Sequence, residues 1–463
     1  MKAPFILLLA LGAALTAFTP AAHAQLPVSG RPVPALTAFD DAMQDFMDDN
    51  DITAGVLGVM FEGRVVYLRG FGHSYNGTTP LPENALFRIA SCTKPITAAA
   101  IHALIDNGAS WDTDDFAFGF GLSGGTGVLD VNPFGGVGDG RIDEITIQQL
   151  LQHQGGWNRD VAGDLSFRWR QASDDMGVPS PPPPEDMMDW ILGEPLQFTP
   201  GNNTVYSNIG YLALSLLVEQ EAGQGIMSYI RRRVLTPDMW VPATELQIGR
   251  TFRPDQDPRE PLYYSTSTGD NIYDNTVPYE QVPSPYGTWP QTGLTGYGSF
   301  IASAPAILEF LQRYHTGVYD ERIGERITGD NPLTGDAGHN GILTGTNSYM
   351  VQRTDGVNVF IVFNKRGDPH YATSFYSNRL DPLIDAVTTW PTTTSDGFWV
   401  NTGGIVIAGF GSYNRPFASL TSALASTEAG SKLRLRAGST DWTGVLSERL
   451  LLDAPLGSAV IGE

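Results

Sequence analysis

The most informative segment of this chain reads Phe87-Arg88-Ile89-Ala90-Ser91-Cys92-Thr93-Lys94. A short apolar run leads into Ser91, and apolar residues then recur at helical spacing over residues 96–104. Asn107-Gly108 marks the end of this predicted helix. We therefore expect Ser91 at a strand-to-helix junction, where its backbone N–H has no partner within the helix.

Lys94 is the only lysine between Lys2 and Lys365. The chain takes nearly all its positive charge from arginine, whose guanidinium stays charged, whereas a buried lysine can lose its proton. A serine followed one helical turn later by a lysine is the core of the Ser-x-x-Lys acyl-transfer motif. Four positions alone are weak evidence, so the interpretation of Ser91 as a nucleophile and Lys94 as its base depends on the rest of the chain.

A second candidate segment is Tyr206-Ser207-Asn208, which precedes a strongly apolar helix at residues 209–222. A tyrosine near a lysine cation can share or shift its proton, so Tyr206 is a candidate acid or base. The amide of Asn208 suits contacts with both Lys94 and a substrate amide. The alternative is a pair of ordinary surface polar residues, because Tyr-x-Asn is a common sequence.

The third candidate segment is His339-Asn340-Gly341. Glycine at position 341 would let a substrate backbone approach closely. The N–H of Ile342, together with that of Ser91, is then a candidate donor to an oxyanion. The alternative for His339 is an exposed loop histidine without a role.

Predicted strands lie at both ends of the main region, and helices lie between them. One hairpin joins residues 56–61 to 64–68, and another joins residues 348–353 to 357–363 through Thr354-Asp355-Gly356. Helices are predicted at residues 39–47, 96–104, 145–153, 209–222 and 306–314. This order predicts an α+β domain whose antiparallel sheet combines N- and C-terminal strands.

The C-terminal region differs in character from this domain. We predict three regions after residue 24. They are a main domain over residues 25–388, a linker rich in threonine at 389–395 and a small β module at 396–463. Short strands separated by glycine turns are typical of coils of a parallel β-helix, but the module is too short for a stable solenoid. A small β appendage on the main domain is an equally good interpretation.

Composition excludes some partners. The chain has 463 residues, is 41% hydrophobic and carries a formal net charge of −22. Such a surface repels nucleic acid and anionic membranes, so neither is an expected partner. No cluster of histidines and cysteines suggests a metal, and no cofactor is expected.

The N-terminus predicts the compartment. A basic start, an apolar run over residues 5–18 and Ala21-Ala22-His23-Ala24 before Gln25 are typical of a secretory signal peptide at residues 1–24. The apolar run is short for a transmembrane anchor. We therefore expect a periplasmic or secreted bacterial protein without a membrane anchor. Cys92 is the only cysteine, so no internal disulfide is possible, and we expect it to be a packed small residue.

The three segments, in this order and spacing, resemble the motifs of the serine β-lactamase and penicillin-binding-protein superfamily. The likeness is greatest to class C β-lactamases, D-alanyl-D-alanine carboxypeptidases and related esterases. It runs over about residues 37–387 and includes residues 145–153, which resemble a family helix that ends in a histidine. It implies a β-lactamase/transpeptidase-like fold, with helices flanking the antiparallel sheet and a mainly helical subdomain beside it.

The resemblance also implies roles for individual residues. Ser91 would be the acylated nucleophile, while Lys94 and Tyr206 would handle its proton and Tyr206 would protonate the leaving group. Asn208 would position Lys94 and the substrate. The remaining implied substrate-binding residues are His339, Asn340, Gly341 and Ile342.

This chain departs from the class C pattern at its third motif. His339 stands where those enzymes have the lysine of Lys-Thr-Gly, and Asn340 replaces a threonine whose hydroxyl helps to bind a substrate carboxylate. We therefore expect poor β-lactam hydrolysis. If the substrate carries a carboxylate, His339 would act through positive charge, and turnover would fall as the pH rises past about 6.5.

The sequence thus predicts an exported serine hydrolase that cleaves an ester or amide bond through an acyl-enzyme on Ser91. Esters, peptides that end in D-amino acids and β-lactams are the candidate substrates. The alternatives are a β-lactamase, a D-alanyl-D-alanine carboxypeptidase and a non-catalytic binding protein of the cell envelope.

Overall fold

The computed structural model describes residues 25–122, 126–235, 241–367, 370–392, 398–400, 416–425, 427, 432–435, 438–440, 442–446, 450–453 and 459–461. The predicted signal peptide at residues 1–24 and part of the predicted linker at 389–395 lie outside these ranges. Within them, no helix combines the length and the apolar composition that crossing a bilayer requires.

The strands are β1 (Val28–Ser29), β2 (Ala54–Phe61), β3 (Arg64–Gly72), β4 (Phe87–Arg88), β5 (Leu246–Ile248), β6 (Thr268–Asp270), β7 (Gln281–Pro283), β8 (Phe300–Ala302), β9 (Ala337–Leu343), β10 (Thr346–Gln352), β11 (Val357–Phe363), β12 (Phe398–Val400), β13 (Lys432–Leu435), β14 (Gly438–Thr440), β15 (Leu451–Asp453) and β16 (Ala459–Ile461). The helices are α1 (Thr37–Asp49), α2 (Thr93–Asp106), α3 (Ile147–Leu151), α4 (Arg159–Ala162), α5 (Trp169–Met176), α6 (Pro184–Leu192), α7 (Asn208–Ala222), α8 (Ile226–Arg233), α9 (Ala304–Leu311), α10 (Tyr371–Phe375), α11 (Asp381–Asp385) and α12 (Leu420–Leu424).

A six-stranded antiparallel sheet forms the centre of the main domain. Its order is β1-β3-β2-β11-β10-β9, so N-terminal strands pair directly with C-terminal ones at the β2–β11 contact. The prediction of an α+β domain, whose antiparallel sheet combines N- and C-terminal strands and is flanked by helices, is confirmed. Strand β9 lies at one edge of this sheet.

Both faces of the sheet are covered, which explains why its inner strands β2 and β11 are apolar at nearly every position. In β11, Phe360 and Val362 belong to one buried cluster, whereas Val359 and Ile361 belong to another on the opposite face. Successive side chains of a strand point to opposite faces, so continuous apolar runs are needed where helices pack on both sides. The first cluster includes α2, α7 and α9, and the second includes α1, α10 and α11.

Helices α2 and α7 are buried on almost all sides. Ten of the fourteen residues of α2 are buried, and α7 packs against it. A helix that is apolar around its whole circumference belongs to the interior of a domain. The serine at the start of α2 is therefore attached to one of the most tightly packed parts of the molecule.

Two helices differ from their predicted limits because of local capping. Helix α9 spans Ala304–Leu311 rather than 306–314, and Ser303 caps it by accepting a hydrogen bond from the N–H of Ala306. Helix α3 covers only Ile147–Leu151 of the predicted 145–153 and begins with a capping box at Thr146. The chain then turns sharply at His153, which has a φ of +60°.

Strand β9 has no counterpart among the predicted strands. Its sequence contains Gly338, Asn340 and Gly341, and Ile342 is its only β-branched residue, so its intrinsic preference for a strand is weak. It forms because β10 supplies a complete antiparallel partner, from Ala337 opposite Gln352 to Leu343 opposite Thr346.

The described part of residues 396–463 contains its own small core of Val400, Phe417, Leu420, Ala423, Leu433 and Leu435. Strand β13 pairs in parallel with β12 and β15, and β14 pairs in parallel with β16. Parallel pairing between successive short strands is the arrangement expected of β-helix coils. The partial β-helix and the domain limits stay predictions, because much of this region lies outside the described residues.

Candidate active site

Ser91 lies in a single 3-10 turn, Ala90–Cys92, between β4 and α2. Ala90 has a φ of +48°, in the left-handed region that residues with a side chain rarely adopt. Strained backbone of this kind concentrates at functional sites, where the surrounding structure enforces it. The turn places Ser91 in the lining of a cavity of about 660 Å³.

Lys94 is completely buried, one helical turn after Ser91. Its Nζ lies 3.2 Å from Ser91 Oγ, 2.7 Å from Asn208 Oδ1 and 3.1 Å from the carbonyl oxygen of Tyr297. Burial lowers the pKa of Lys94 well below its ordinary value, and the negative charge of Asp164 partly opposes this. The site therefore favours a neutral amine within reach of the serine hydroxyl.

Tyr206 is half-buried in the cavity lining, with its ring over Lys94, and forms a hydrogen bond with Ser91. The centre of its ring lies 4.7 Å from Lys94 Nζ, 4.8 Å from the Arg159 guanidinium and 4.6 Å from the His153 ring. Burial raises the pKa of Tyr206, whereas Ser91 and Arg159 act in the opposite direction. Because burial is the largest effect, the phenol keeps its proton near neutral pH.

His153 anchors the segment that carries Tyr206. Its backbone carbonyl accepts a hydrogen bond from the N–H of Val205, and its Nδ1 accepts one from the N–H of Ser207. The residues on both sides of Tyr206 are therefore bound to His153. Burial and the nearby Lys94 lower the pKa of His153, which agrees with a neutral ring that accepts at Nδ1.

Asn208 is the first residue of α7 and joins Lys94 to an acidic residue. Its Oδ1 accepts from Lys94, and its Nδ2 donates to Asp164 Oδ2 over 2.7 Å. The second contact fixes the orientation of the amide, since a carboxylate can only accept.

The third segment lies on edge strand β9 and is divided between two faces. Asn340 and Ile342 line the cavity. His339 and Gly341 are buried beneath it, and a methyl group at Gly341 would lie 2.2 Å from the carbonyl oxygen of Ile89. The close approach that Gly341 permits is therefore to the segment before Ser91.

The surroundings of His339 oppose the expectation that it acts through positive charge, which stays a prediction. Its side chain is fully buried, and Nδ1 donates to the carbonyl oxygen of Asn340 over 2.8 Å. Burial, reinforced by Lys94, lowers the pKa of His339 to about 3. Burial thus favours the neutral imidazole over the charged form that a substrate carboxylate would attract.

The cavity combines an aromatic wall with a few charged groups. Its charged lining residues are Arg159, Asp164 and Arg366. Its apolar and aromatic lining residues are Phe167, Tyr206, Trp289, Tyr297, Val318, Tyr319, Ile342, Leu343 and Tyr349. Apolar surface with a small number of placed polar groups is typical of sites for small organic ligands.

The structure brings Ser91, Lys94, Tyr206 and Asn208 into direct contact, with Asn340 and Ile342 on the opposite wall. Sequence reasoning missed Asp164, Arg159 and Tyr297. Tyr297 contributes its backbone carbonyl, which carries no sequence signal. Arg159 begins the four-residue helix α4 and Asp164 follows it, and a helix this short has no periodic signal in the sequence. Across the residues described, no group of histidine, cysteine and acidic side chains could hold a metal ion.

The sequence profile of the β-lactamase family matches residues 39–415, most of the chain. The chain belongs to the β-lactamase family. The resemblance and the fold that the motifs predict are thereby confirmed.

Curated relatives in the β-lactamase family have several names. Penicillin-binding protein 4* of Bacillus subtilis is 28% identical over 181 residues, 38% of this chain and 34% of that protein. A putative D-alanyl-D-alanine carboxypeptidase of Escherichia coli O157:H7 is 23% identical over 323 residues, 64% of this chain and 69% of that protein. Esterase EstB of Burkholderia gladioli is 27% identical over 211 residues, 43% of this chain and 47% of that protein. The match to the Bacillus protein thus spans about a third of its length.

Solved structures support the same fold. A D-amino acid amidase from Ochrobactrum anthropi SV3, complexed with L-phenylalanine, is 18% identical, with a TM-score of 0.52 over 76% of this chain and 99% of that protein. At this level of identity, the likeness concerns the fold. The β-lactamase-related fold therefore extends over the main domain, and its relatives are serine hydrolases that include carboxypeptidases and esterases.

Proposed function

We propose that this chain is an exported serine hydrolase that cleaves an ester or amide bond through an acyl-enzyme on Ser91. The observation that carries the proposal is the contact of a buried lysine with the serine hydroxyl, 3.2 Å from Nζ to Oγ. A nucleophile and its base must lie within about this distance.

The hydrogen bonds of Lys94 support its role as the base. A neutral amine has two N–H groups and one lone pair. Asn208 Oδ1 and the Tyr297 carbonyl can only accept, so they use both N–H groups. The lone pair is then left for Ser91, and it can take the hydroxyl proton as Oγ attacks the substrate carbonyl carbon.

The remaining steps use the other residues of the cavity. The N–H groups of Ser91 and Ile342 would hold the oxyanion of the tetrahedral intermediate. Tyr206, which keeps its proton at neutral pH, would protonate the leaving alcohol or amine as its bond to the carbonyl carbon breaks. Water would then attack the carbonyl carbon of the Ser91 ester and give its proton to the Tyr206 phenolate. As the bond from Ser91 Oγ to the acyl carbon breaks, Oγ would take the proton back from Lys94, and the acid is released.

The lining of the cavity favours an apolar group beside the scissile bond. Nine apolar or aromatic residues line the cavity, and burial favours the neutral form of the His339 imidazole. We infer that esters and amides with an apolar acyl or leaving group are better substrates than β-lactams. The curated esterase and carboxypeptidase relatives are consistent with this substrate class.

Export is the second part of the proposal and rests on the signal-like sequence at residues 1–24. Protein isolated outside the cytoplasm should begin at Gln25. Full-length protein that stays in the cytoplasm would contradict export without affecting the proposed chemistry.

Covalent trapping tests the nucleophile. A fluorophosphonate should modify the wild-type protein at one position, and peptide mass spectrometry should locate the adduct on Ser91. Ser91→Ala should lose labelling and hydrolysis, whereas Ser110→Ala, at an exposed serine outside the cavity lining, should keep both. Full ester hydrolysis by Ser91→Ala would overturn the mechanism.

A substrate panel separates the candidate activities. It comprises p-nitrophenyl esters of increasing acyl length, a peptide ending in D-Ala-D-Ala and nitrocefin. We expect the highest kcat/KM for an apolar ester or amide and the lowest for nitrocefin. A preference for nitrocefin would instead identify a β-lactamase, and binding without turnover of any substrate would favour the non-catalytic alternative.

A further inference from the structure

Asp164 lies in the cavity lining but has both carboxylate oxygens occupied by protein donors. Oδ2 accepts from Asn208 Nδ2 over 2.7 Å. Oδ1 accepts from Ser166 Oγ over 2.6 Å and from the Ser166 N–H over 3.2 Å. Asp164 thus joins Asn208 to the loop that follows α4.

The hydrogen bond from Asn208 to Asp164 also affects Lys94, which is bound to the other end of the same Asn208 amide. The oxygen and nitrogen of an amide side chain have almost the same shape, so only hydrogen-bond partners decide its orientation. With Nδ2 bound to Asp164, Oδ1 must face Lys94. In the opposite orientation, Nδ2 would face Lys94, and the lysine lone pair would be drawn to Asn208 instead of Ser91.

We propose that Asp164 is a positioning residue, which fixes the Asn208 amide with its oxygen toward Lys94 and thereby directs the lysine lone pair to Ser91. This inference rests on the proposed function, because it concerns how the proposed base is oriented. Asp164 acts through Asn208 and does not touch the reacting serine.

Asp164 also contributes its charge to the environment of Lys94. It is the largest influence that opposes the lowering of the lysine pKa by burial. The other titratable or charged groups around Lys94 are Cys92, His153, Arg159, Tyr206, Tyr211, Tyr297 and His339. Asp164 is the one carboxylate in this set, so its removal should affect the pH at which Lys94 loses its proton.

The test uses full-length protein and the rate of Ser91 labelling by a fluorophosphonate, measured from pH 5 to 10. Asp164→Asn leaves one oxygen where two are needed, so the introduced amide cannot accept from both Ser166 and Asn208. We expect a fall in the maximal labelling rate of about tenfold or more, a part of the roughly 10²–10⁴-fold that a general base contributes. Because the negative charge is lost, the acid limb of the profile should shift to lower pH.

The exchange variant Asp164→Asn/Asn208→Asp gives the opposite shift. It keeps an acceptor facing Lys94 and restores a donor–acceptor pair between positions 164 and 208. It also moves the carboxylate into direct contact with Lys94, which favours the ammonium form. We therefore expect a higher maximal rate than in Asp164→Asn, reached only at higher pH than in the wild type.

Two control variants distinguish the effect of Asp164 on the Asn208 amide from its support of the loop that contains Ser166. Ser166→Ala removes the hydrogen bond from the Ser166 hydroxyl to Asp164, keeps the one from the backbone N–H, and should leave the pH of the acid limb unchanged. Asp160→Asn removes an exposed carboxylate on α4 and should leave both rate and profile unchanged. Thermal unfolding of each variant identifies loss of fold, and the exchange variant carries the test if Asp164→Asn is unstable.

The proposal is overturned if Asp164→Asn labels at the wild-type rate with an unshifted acid limb, or if the exchange variant is no faster than Asp164→Asn at any pH. These outcomes can be interpreted only if the fluorophosphonate labels Ser91 in the wild-type protein. Absence of labelling in the wild type would refute the proposed function itself, so the two failures are distinguishable.

Discussion

At the scale of single residues, Lys94 joins the separate parts of the site. It contacts Ser91 at the start of its own helix, Asn208 at the start of α7 and the Tyr297 carbonyl before β8. A buried cation without a carboxylate in direct contact is costly, and loss of the proton removes that cost. Burial therefore favours the form of lysine that can act as a base.

Lys94→Arg tests this interpretation. The guanidinium stays charged and has no lone pair for the serine proton, so kcat should fall by roughly 10²–10⁴-fold. The measurement is ester hydrolysis across the pH range. Lys365→Arg is the matched control and should keep wild-type kcat, whereas substantial activity of Lys94→Arg at any pH would contradict the role of base.

Burial of His339 should make the folding stability of the protein depend on pH. Below about pH 6.5 the unfolded chain binds a proton at His339, but the folded chain does not until the pH approaches about 3. Folding stability should therefore fall as the pH decreases through this window, by up to about 1.4 kcal/mol per pH unit for one proton. His339→Gln should lower this slope in urea unfolding measured at pH 7, 6 and 5.

Exposed His370 provides the control, since His370→Gln should leave the slope of the wild type unchanged. An equal slope in His339→Gln and the wild type would show that the buried imidazole protonates in the folded protein. It would also restore the expectation of a charged His339.

At the scale of elements, strand β9 connects the sheet to the nucleophile. One face carries Asn340 and Ile342 into the cavity, and the other packs against the segment before Ser91. Gly341 makes this packing possible, because an added methyl group would lie 2.4 Å from Ser348 Oγ and 2.2 Å from the Ile89 carbonyl oxygen. The position of the strand therefore depends on the absence of a side chain.

Gly341→Ala should accordingly displace β9 from the nucleophile turn. We expect a loss of about 1–3 kcal/mol in the free energy of unfolding, as for other insertions into packed interiors, and a fall in kcat/KM. Gly335→Ala, shortly before β9, is the control because a methyl group there meets nothing within 4 Å. Wild-type stability of Gly341→Ala would show that the close contact relaxes without cost.

At the scale of the whole molecule, the described residues form separate cores. The two clusters that enclose the central sheet draw no buried member from beyond Ile384, and Trp390 packs against the second. The third cluster draws its members from residues 400–461. Nothing in the described site comes from the C-terminal region.

Truncation after Trp390 should therefore leave hydrolysis intact. The shortened protein keeps the stacking of Trp390 on Phe61, whose ring centres lie 5.2 Å apart. We expect an unchanged kcat/KM for ester substrates and an unchanged cooperative unfolding transition of the main domain. Loss of activity in a folded truncated protein would assign a catalytic contribution to residues 391–463.

The sequence by itself determined the family and the candidate nucleophile. Ser91, Lys94, Tyr206 and Asn208 occur in short segments whose spacing reflects local helix geometry, and local geometry is readable along a chain. Continuous apolar runs such as β11 likewise indicated buried strands before their partners were known.

Only the tertiary structure decided the surroundings of these residues. The orientation of Asn208 by Asp164, the neutral state of His339 and the carbonyl contact of Tyr297 depend on segments far apart in sequence. Strand β9 was not predicted because its intrinsic preference for a strand is weak, and it forms through its pairing with β10. Burial sets the protonation of His339, and long-range hydrogen bonds set the orientation of the Asn208 amide. Burial and hydrogen bonds of this kind leave no periodic pattern in the sequence.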